Sequence, residues 1–283
     1  MGKRAETTLE HPGGPVFGKL LEFLGARLLS WLDLLGGAWR LVCQTAYWTV
    51  ASRPGEIGGL RRESIAEQMI RVGIRAVPIV ALVNMMVGMI LAVSMGGPMR
   101  EVGLINTVPK IVAVAITRQL APMMTAIVMC GFVGAAMAAE LGTMTTTEEI
   151  LALEVSGLNP VRFLVVPRML AVMAMMPCLT VLANFMGMFG GYLVGTNILD
   201  IGSARYLSVN NQAASAWDIV RGLWKSVGFG VIITAVACHE GLSVKGGAEG
   251  VGRATTRAVV IAIVAIIIAD FFMTSLFFNV MGK

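Results

Sequence analysis

A few charged and amide side chains sit where the sequence is otherwise fit for lipid. Asp270 stands in the middle of the apolar run "AIVAIIIADFFMTSLFF". A carboxylate at such a depth costs roughly 2.5–3.5 kcal/mol to insert, so it must face protein or a wet cavity. Thr274 lies one helical turn further along the same face. Two readings stay open for Asp270: a hydrogen-bonded or ion-paired structural group, or a group that takes part in transport. Arg118 and Gln119 stand near the start of a second apolar run, and Lys225 near the start of a third. Cations beside an apolar cavity suit a phosphate group. The alternative for each is to reach outward to lipid headgroups along its own stem.

Most other chemistry is excluded. His11 and His239 are the only histidines, and neither HExxH nor GxSxG occurs. The four cysteines, Cys43, Cys130, Cys178 and Cys238, form no CxxC pair and sit in or beside apolar runs, which predicts packing cysteines and no metal site. The stretch "GGPVFGKL" comes close to a phosphate-binding loop through Gly13, Gly18 and Lys19. Leu20, however, replaces the magnesium-binding hydroxyl, and no strand precedes it. No cofactor is expected on this chain, and no basic run interleaved with aromatics points to nucleic acid.

The most acidic stretch is "ELGTMTTTEEILALEVSGLNP", residues 140–160, with Glu140, Glu148, Glu149 and Glu154 set between two apolar runs. Thr-x-x-Glu occurs at 145/148 and again at 146/149, which predicts a capping box at the start of a short helix over about 146–157. Gly157 fits its stop and Pro160 prevents its continuation. Ile150, Leu151, Leu153 and Val155 give that helix an apolar side. It is either an ordinary loop helix or a docking element that passes a partner's motion into its neighbours.

The elements that must hold these groups are membrane helices. Of 283 residues, 56% are hydrophobic and 14% charged, against about 25% charged in a soluble domain. Five uncharged or nearly uncharged runs are long enough to cross a bilayer, at about 76–99, 111–139, 169–199, 222–240 and 258–281. Residues 1–18 read as a disordered tail. Residues 19–75 read as an interfacial region that opens with an amphipathic helix over 19–44, lying on the membrane surface or partly packed. Residues 76–283 form the main domain. Lys and Arg concentrate in residues 1–75 and in the 140–168 and 239–257 loops, which places the N-terminus and the acidic helix in the cytoplasm. Gly187, Gly191 and Gly195 repeat at four-residue spacing and predict close helix packing. Pro78, Pro122 and Pro177 fall inside apolar runs and predict kinks.

The segment "RQLAPMMTAIVMCGFVGAAMAAELGTMTTTEEILALEVSGLNPVRFLVVPR" resembles the signature of the MlaE/YrbE permease family. Glu140, Leu141, Gly142, Thr143, Met144, Glu148, Ala152, Leu153, Pro160, Pro167 and Arg168 fit its pattern. A second match is "GVGRATTRAVVIAIVAIIIADFFMT", with Gly250, Gly252, Arg253 and Asp270 in register. The resemblance covers roughly residues 60 to 281. It implies an all-α permease of the bacterial inner membrane, working as a homodimer with a separate cytoplasmic ABC ATPase that holds the ATP and magnesium. It also implies an MCE-domain protein on the periplasmic side, which the 200–220 segment would contact, and phospholipid as cargo. The acidic helix then becomes a coupling helix carried by Glu140, Glu148, Glu149, Leu153 and Glu154. Two departures stand out: Phe132-Val133-Gly134-Ala135 replaces the family's usual Arg-x-Gly-Ser, and Gln119 replaces its usual acid. An ion-coupled secondary carrier using Asp270 and Lys225 is the rival class, but the inverted repeats such carriers favour are not evident.

Overall fold

The computed structural model describes residues 36–49, 62–213 and 215–281, and every regular element among them is helical. Five helical segments are long and apolar enough to cross a membrane. A short helix α1 covers 36–49. The first span is α2, Arg62–Glu101. Its 40 residues make a rod of about 60 Å, twice the hydrocarbon thickness of a bilayer. It ends in a glycine stop at Gly103, φ 72°, with Gly103 N–H donating to Arg100 O and Leu104 N–H to Met99 O.

The second span is a broken rod. Helices α3 (Val108–Ala115), α4 (Ala121–Met129) and α5 (Ala135–Thr146) are joined end to end by π-turns at Ile116–Leu120 and Cys130–Gly134. Pro122 lies just after the first π-turn. Having no N–H, it leaves nearby carbonyls of that turn without a helical donor. There the later helix Ala216–Leu242 comes in close: a Cβ on its Gly222 would stand 2.7 Å from Thr117 O. The short helix α6 is Glu149–Val155. The third span, α7 (Val166–Asn197), follows a π-turn at Val161–Val165, where Asn159 Oδ1 accepts from Val161 N–H at 2.9 Å. Helix α8 (Ser203–Ala213) leads to the fourth span, α9 (Ala216–Leu242), capped by Ser215 Oγ accepting from Trp217 N–H. The fifth span is α10, Gly247–Met281.

The neighbours run α2, α7, α9, α10, and the broken rod packs across all four. The main core follows that rod, through Val112, Ile116, Met129, Val133 and Met137, against Met176, Leu179, Phe229, Ile233 and Ile266. The predicted glycine face meets side chains and, at Gly187, the backbone of α2. Gly187 meets Ile116, Gly191 meets Val112 and Tyr206, and Gly195 meets the Tyr206 ring. The closest backbone approaches between α2 and α7 are those of Gly88 against Gly187 O and of Gly190, outside the predicted set, against Met85 O. Tyr206 anchors α8, stacking edge-on against Tyr192 at 5.5 Å, and burial pushes its phenol up to about 12.

Helix bounds differ from the sequence reading in one direction: each span begins before its apolar run. The boundary drawn at 75–76 falls inside α2, because Arg62–Arg75 continues the same helix. Hydropathy marks where a helix enters lipid, whereas the hydrogen-bonded helix runs on into water. Most of the predicted amphipathic helix, and the 1–18 tail, lie outside the described residues. Helix α1, which overlaps the last residues of that predicted helix, buries Leu41 and Thr45 and leaves Trp39 and Tyr47 exposed. Two of the four cysteines, Cys43 and Cys178, are exposed rather than packed inside.

Candidate functional site

The charged groups gather at two levels of the bundle. At the first, Lys225 points inward from α9 and is almost fully buried. Its ammonium donates to Gln119 Oε1 at 2.8 Å, to Thr274 Oγ1 at 2.8 Å and to Asp270 Oδ1 at 3.0 Å. A fourth acceptor, Arg118 O, lies at 3.5 Å. That carbonyl is four residues before Pro122, which has no N–H to give it, and the lysine's positive charge stands beside it. Gln119 closes the ring, because its Nε2 donates to Asp270 Oδ2 while its Oε1 accepts from Lys225. An amide can do both at once; a glutamate at 119 could not donate and would add a second negative charge. Thr274 in turn donates to Asp270 O.

Beside this ring, Arg118 Nε donates to Asp218 Oδ1 at 2.7 Å, and Arg221 stands 3.9 Å from the same oxygen. Asp218 is buried and Arg118 half exposed. Arg118, Arg221, Thr274, Phe277 and Phe278 surround a small cavity of about 110 Å³ next to the ring. The structure thus brings Asp270, Thr274, Gln119, Lys225 and Arg118, which the sequence marked on separate runs, into one place. The sequence offered Lys225 as a cation for a phosphate or one reaching for headgroups, and the structure turns it inward with its protons committed. Asp218 and Arg221 were missed. Their signal was available: 218, 221 and 225 share one helix face by spacing.

At the opposite end of the bundle lie α6 and the ends of α5, α7, α9 and α10. Helix α6 has seven residues, shorter than expected, and its predicted capping box does not form. The threonine hydroxyls bond back into α5 instead: Thr145 donates to Leu141 O and Thr146 to Thr143 O. Thr145 and Thr146 are the last residues of α5, not the first of α6. The chain reverses through Glu148, which takes the left-handed conformation at φ 61°. The predicted stop holds. Gly157, φ 76°, donates to Glu154 O at 2.9 Å and Leu158 N–H to Leu153 O at 3.0 Å.

Ile150 and Leu153 pin α6 to a small second core made by Leu41, Leu141, Leu164, Val165 and Cys238. That core joins α1, α5, α9 and the π-turn before α7. The other face of α6 is open. Glu148, Glu149 and Glu154 are exposed, as are Leu151 and Val155, the last at 83%. Glu140 is apart from them. It belongs to α5 and bridges two arginines, Arg71 Nη2 at 2.6 Å and Arg168 Nη2 at 3.2 Å. Glu240 pairs with Arg257 at 3.5 Å at the same end. Among the described residues no three His, Cys, Asp or Glu side chains are placed to hold a metal.

Residues 65–276 match the family described as Permease MlaE. The chain is 38% identical to a probable ABC transporter permease protein of Synechocystis over 225 residues, 80% of this chain and 86% of that one. It is 35% identical to the chloroplastic protein Trigalactosyldiacylglycerol 1 of Arabidopsis thaliana, covering 80% of this chain and 64% of the relative. It is 32% identical to an intermembrane phospholipid transport system permease protein of Haemophilus influenzae, covering 76% and 83%.

Proposed function

The chain belongs to the MlaE permease family, and on that premise we propose that it carries phospholipid or a similar lipid across or out of the membrane, driven by a separate cytoplasmic ABC ATPase. The observation that carries this reading is α6. It is acidic and open on one face, fixed by Ile150 and Leu153 on the other, and tied through one small core to three of the spans. A load applied to it therefore reaches α5, α7 and α9 together. That is what a subunit without its own nucleotide site needs in order to borrow the energy of another.

On this reading α6 seats in the ATPase through Glu148, Glu149, Glu154 and Leu151, with Leu153 holding its underside. Glu140 supports it from α5, through the Arg71 and Arg168 pairs. The cargo meets the other level of the bundle. Arg118, half exposed beside a cavity that Phe277 and Phe278 close with aromatic rings, offers a cation for a phosphate and apolar surface for chains. Lys225 and Asp270 act there as framework, fixing Arg118 through its own carbonyl. A second copy of the chain, an MCE-domain protein on the far side, and a bacterial inner-membrane setting with a cytoplasmic N-terminus complete the proposal. The name of the Haemophilus relative, an intermembrane phospholipid transport permease, supports the choice of cargo.

The test is to purify the tagged protein from its native membrane in mild detergent and identify its companions by mass spectrometry. An ATPase with bound phospholipid is the expected result; a lone protein without either would move the reading to an ion-coupled carrier. Glu148→Lys with Glu149→Lys should then abolish lipid-stimulated ATP hydrolysis while leaving the spans folded. Unchanged stimulation would remove α6 from the coupling.

A further inference from the structure

A second groove lies at the α6 end, between α2 and α5, with a volume of about 220 Å³. Its two walls are unlike. On α2, Gln68, Arg71 and Arg75 stand on one face, at spacings of three and four residues. On the broken rod, Phe132, Val133 and Met137 form an apolar wall. Arg75 is exposed, and no carboxylate pairs with it among the described residues. Arg71 is about half exposed and shares Glu140 with Arg168 of α7, so that carboxylate is already matched from its other side. The groove therefore presents an excess of positive charge against a hydrophobic surface.

Its depth is set by the sequence. Arg75 is the last charge before the uncharged run 76–99, so its guanidinium stands at the boundary between water and hydrocarbon. Beyond it, Val77, Ile79 and Leu82 are exposed along α2. A water takes about 30 Å³, so the groove has room for a headgroup and none for a pair of acyl chains. Chains would lie along that open apolar face. We propose that this groove binds the phosphate of a phospholipid in the leaflet on the α6 side, with Arg75 and Arg71 donating to the phosphate oxygens. It is separate from the Arg118 cavity, which lies at the other level of the bundle.

The experiment places a photo-crosslinking residue at position 132, in the full chain in nanodiscs of phosphatidylglycerol, and measures adducts by intact mass. A phospholipid adduct is expected. It should fall about tenfold in Arg75→Gln, the loss of roughly one charge-assisted hydrogen bond, and recover in Arg75→Lys. Diacylglycerol, which has the chains but no phosphate, should give little adduct. An equal adduct with diacylglycerol, or one indifferent to Arg75→Gln, would overturn the site. So would an adduct to a second copy of the chain, which would make the groove a subunit contact. Displacement of the lipid by inorganic phosphate at low concentration would make it a free-anion site instead. Because occupancy is read without an ATPase, failure of the transport reading leaves the adduct untouched. Transport without an adduct sinks this site alone.

Discussion

The two charged levels of the bundle are built on opposite principles. Around Lys225 the charges are buried, and donors and acceptors are matched between three spans. Around Glu140 and α6 the pairs are open on at least one side: Arg168 and Glu240 are buried, but Arg71 is about half exposed, and Arg257, Arg253 and Glu249 are exposed. Buried pairs cost several kcal/mol per ion to desolvate and hold only when every donor and acceptor is matched. Exposed pairs contribute about 0–1 kcal/mol and can be remade cheaply. The first arrangement fixes one geometry inside the membrane. The second leaves a surface free to change partners, which suits the docking proposed for that end.

Removing one half of the buried pair tests this contrast most severely. Lys225→Met leaves Asp270 charged and unmatched, and should cost about 3–5 kcal/mol, read as a large drop in the melting temperature in detergent. Adding Asp270→Leu to it should recover part of that loss. If the double variant is no better than the single, the pair is not the unit of stability. Gln119→Glu comes next, at about 1–3 kcal/mol, because Asp270 loses its donor. An unchanged melting temperature would mean that the ring tolerates a second acid, and the contrast between levels would soften. Leu153→Ala should cost about 1 kcal/mol, since this leucine is only half-buried, yet depress ATPase coupling strongly. Glu148→Lys with Glu149→Lys should shift stability by less than about 0.5 kcal/mol while breaking that coupling. A large stability loss there would show that α6 is a structural brace.

The sequence made some of this legible and hid the rest for identifiable reasons. Five apolar runs gave five spans, because lipid leaves a chain little choice but to satisfy its backbone within helices. Gly157 announced its own stop, since few other residues take φ 76° without strain. The threonines before it misled. Thr-x-x-Glu fits a capping box, but the same hydroxyls can bond to the carbonyl four residues back, and α5 was already there to accept them. Asp270 was marked as needing company by its cost alone. That its company includes Lys225, 45 residues earlier, depends on how α9 and α10 face each other, and local spacing says nothing about that. The π-turn at Ile116–Leu120 was invisible for a similar reason. Pro122 signalled a fault in the helix, whereas the lysine that stands beside it came from another span.

The buried ring has one more property, which concerns voltage. Lys225 and Asp270 cancel, and Gln119 and Thr274 carry no charge, so the ring as a whole is electrically neutral. A conformational change that carries it through the membrane intact moves a dipole and no net charge. An unpaired lysine crossing the full field would feel about 2.3 kcal/mol per 100 mV. Gln119 thus leaves the ring itself without net charge, and Gln119→Glu would give it one.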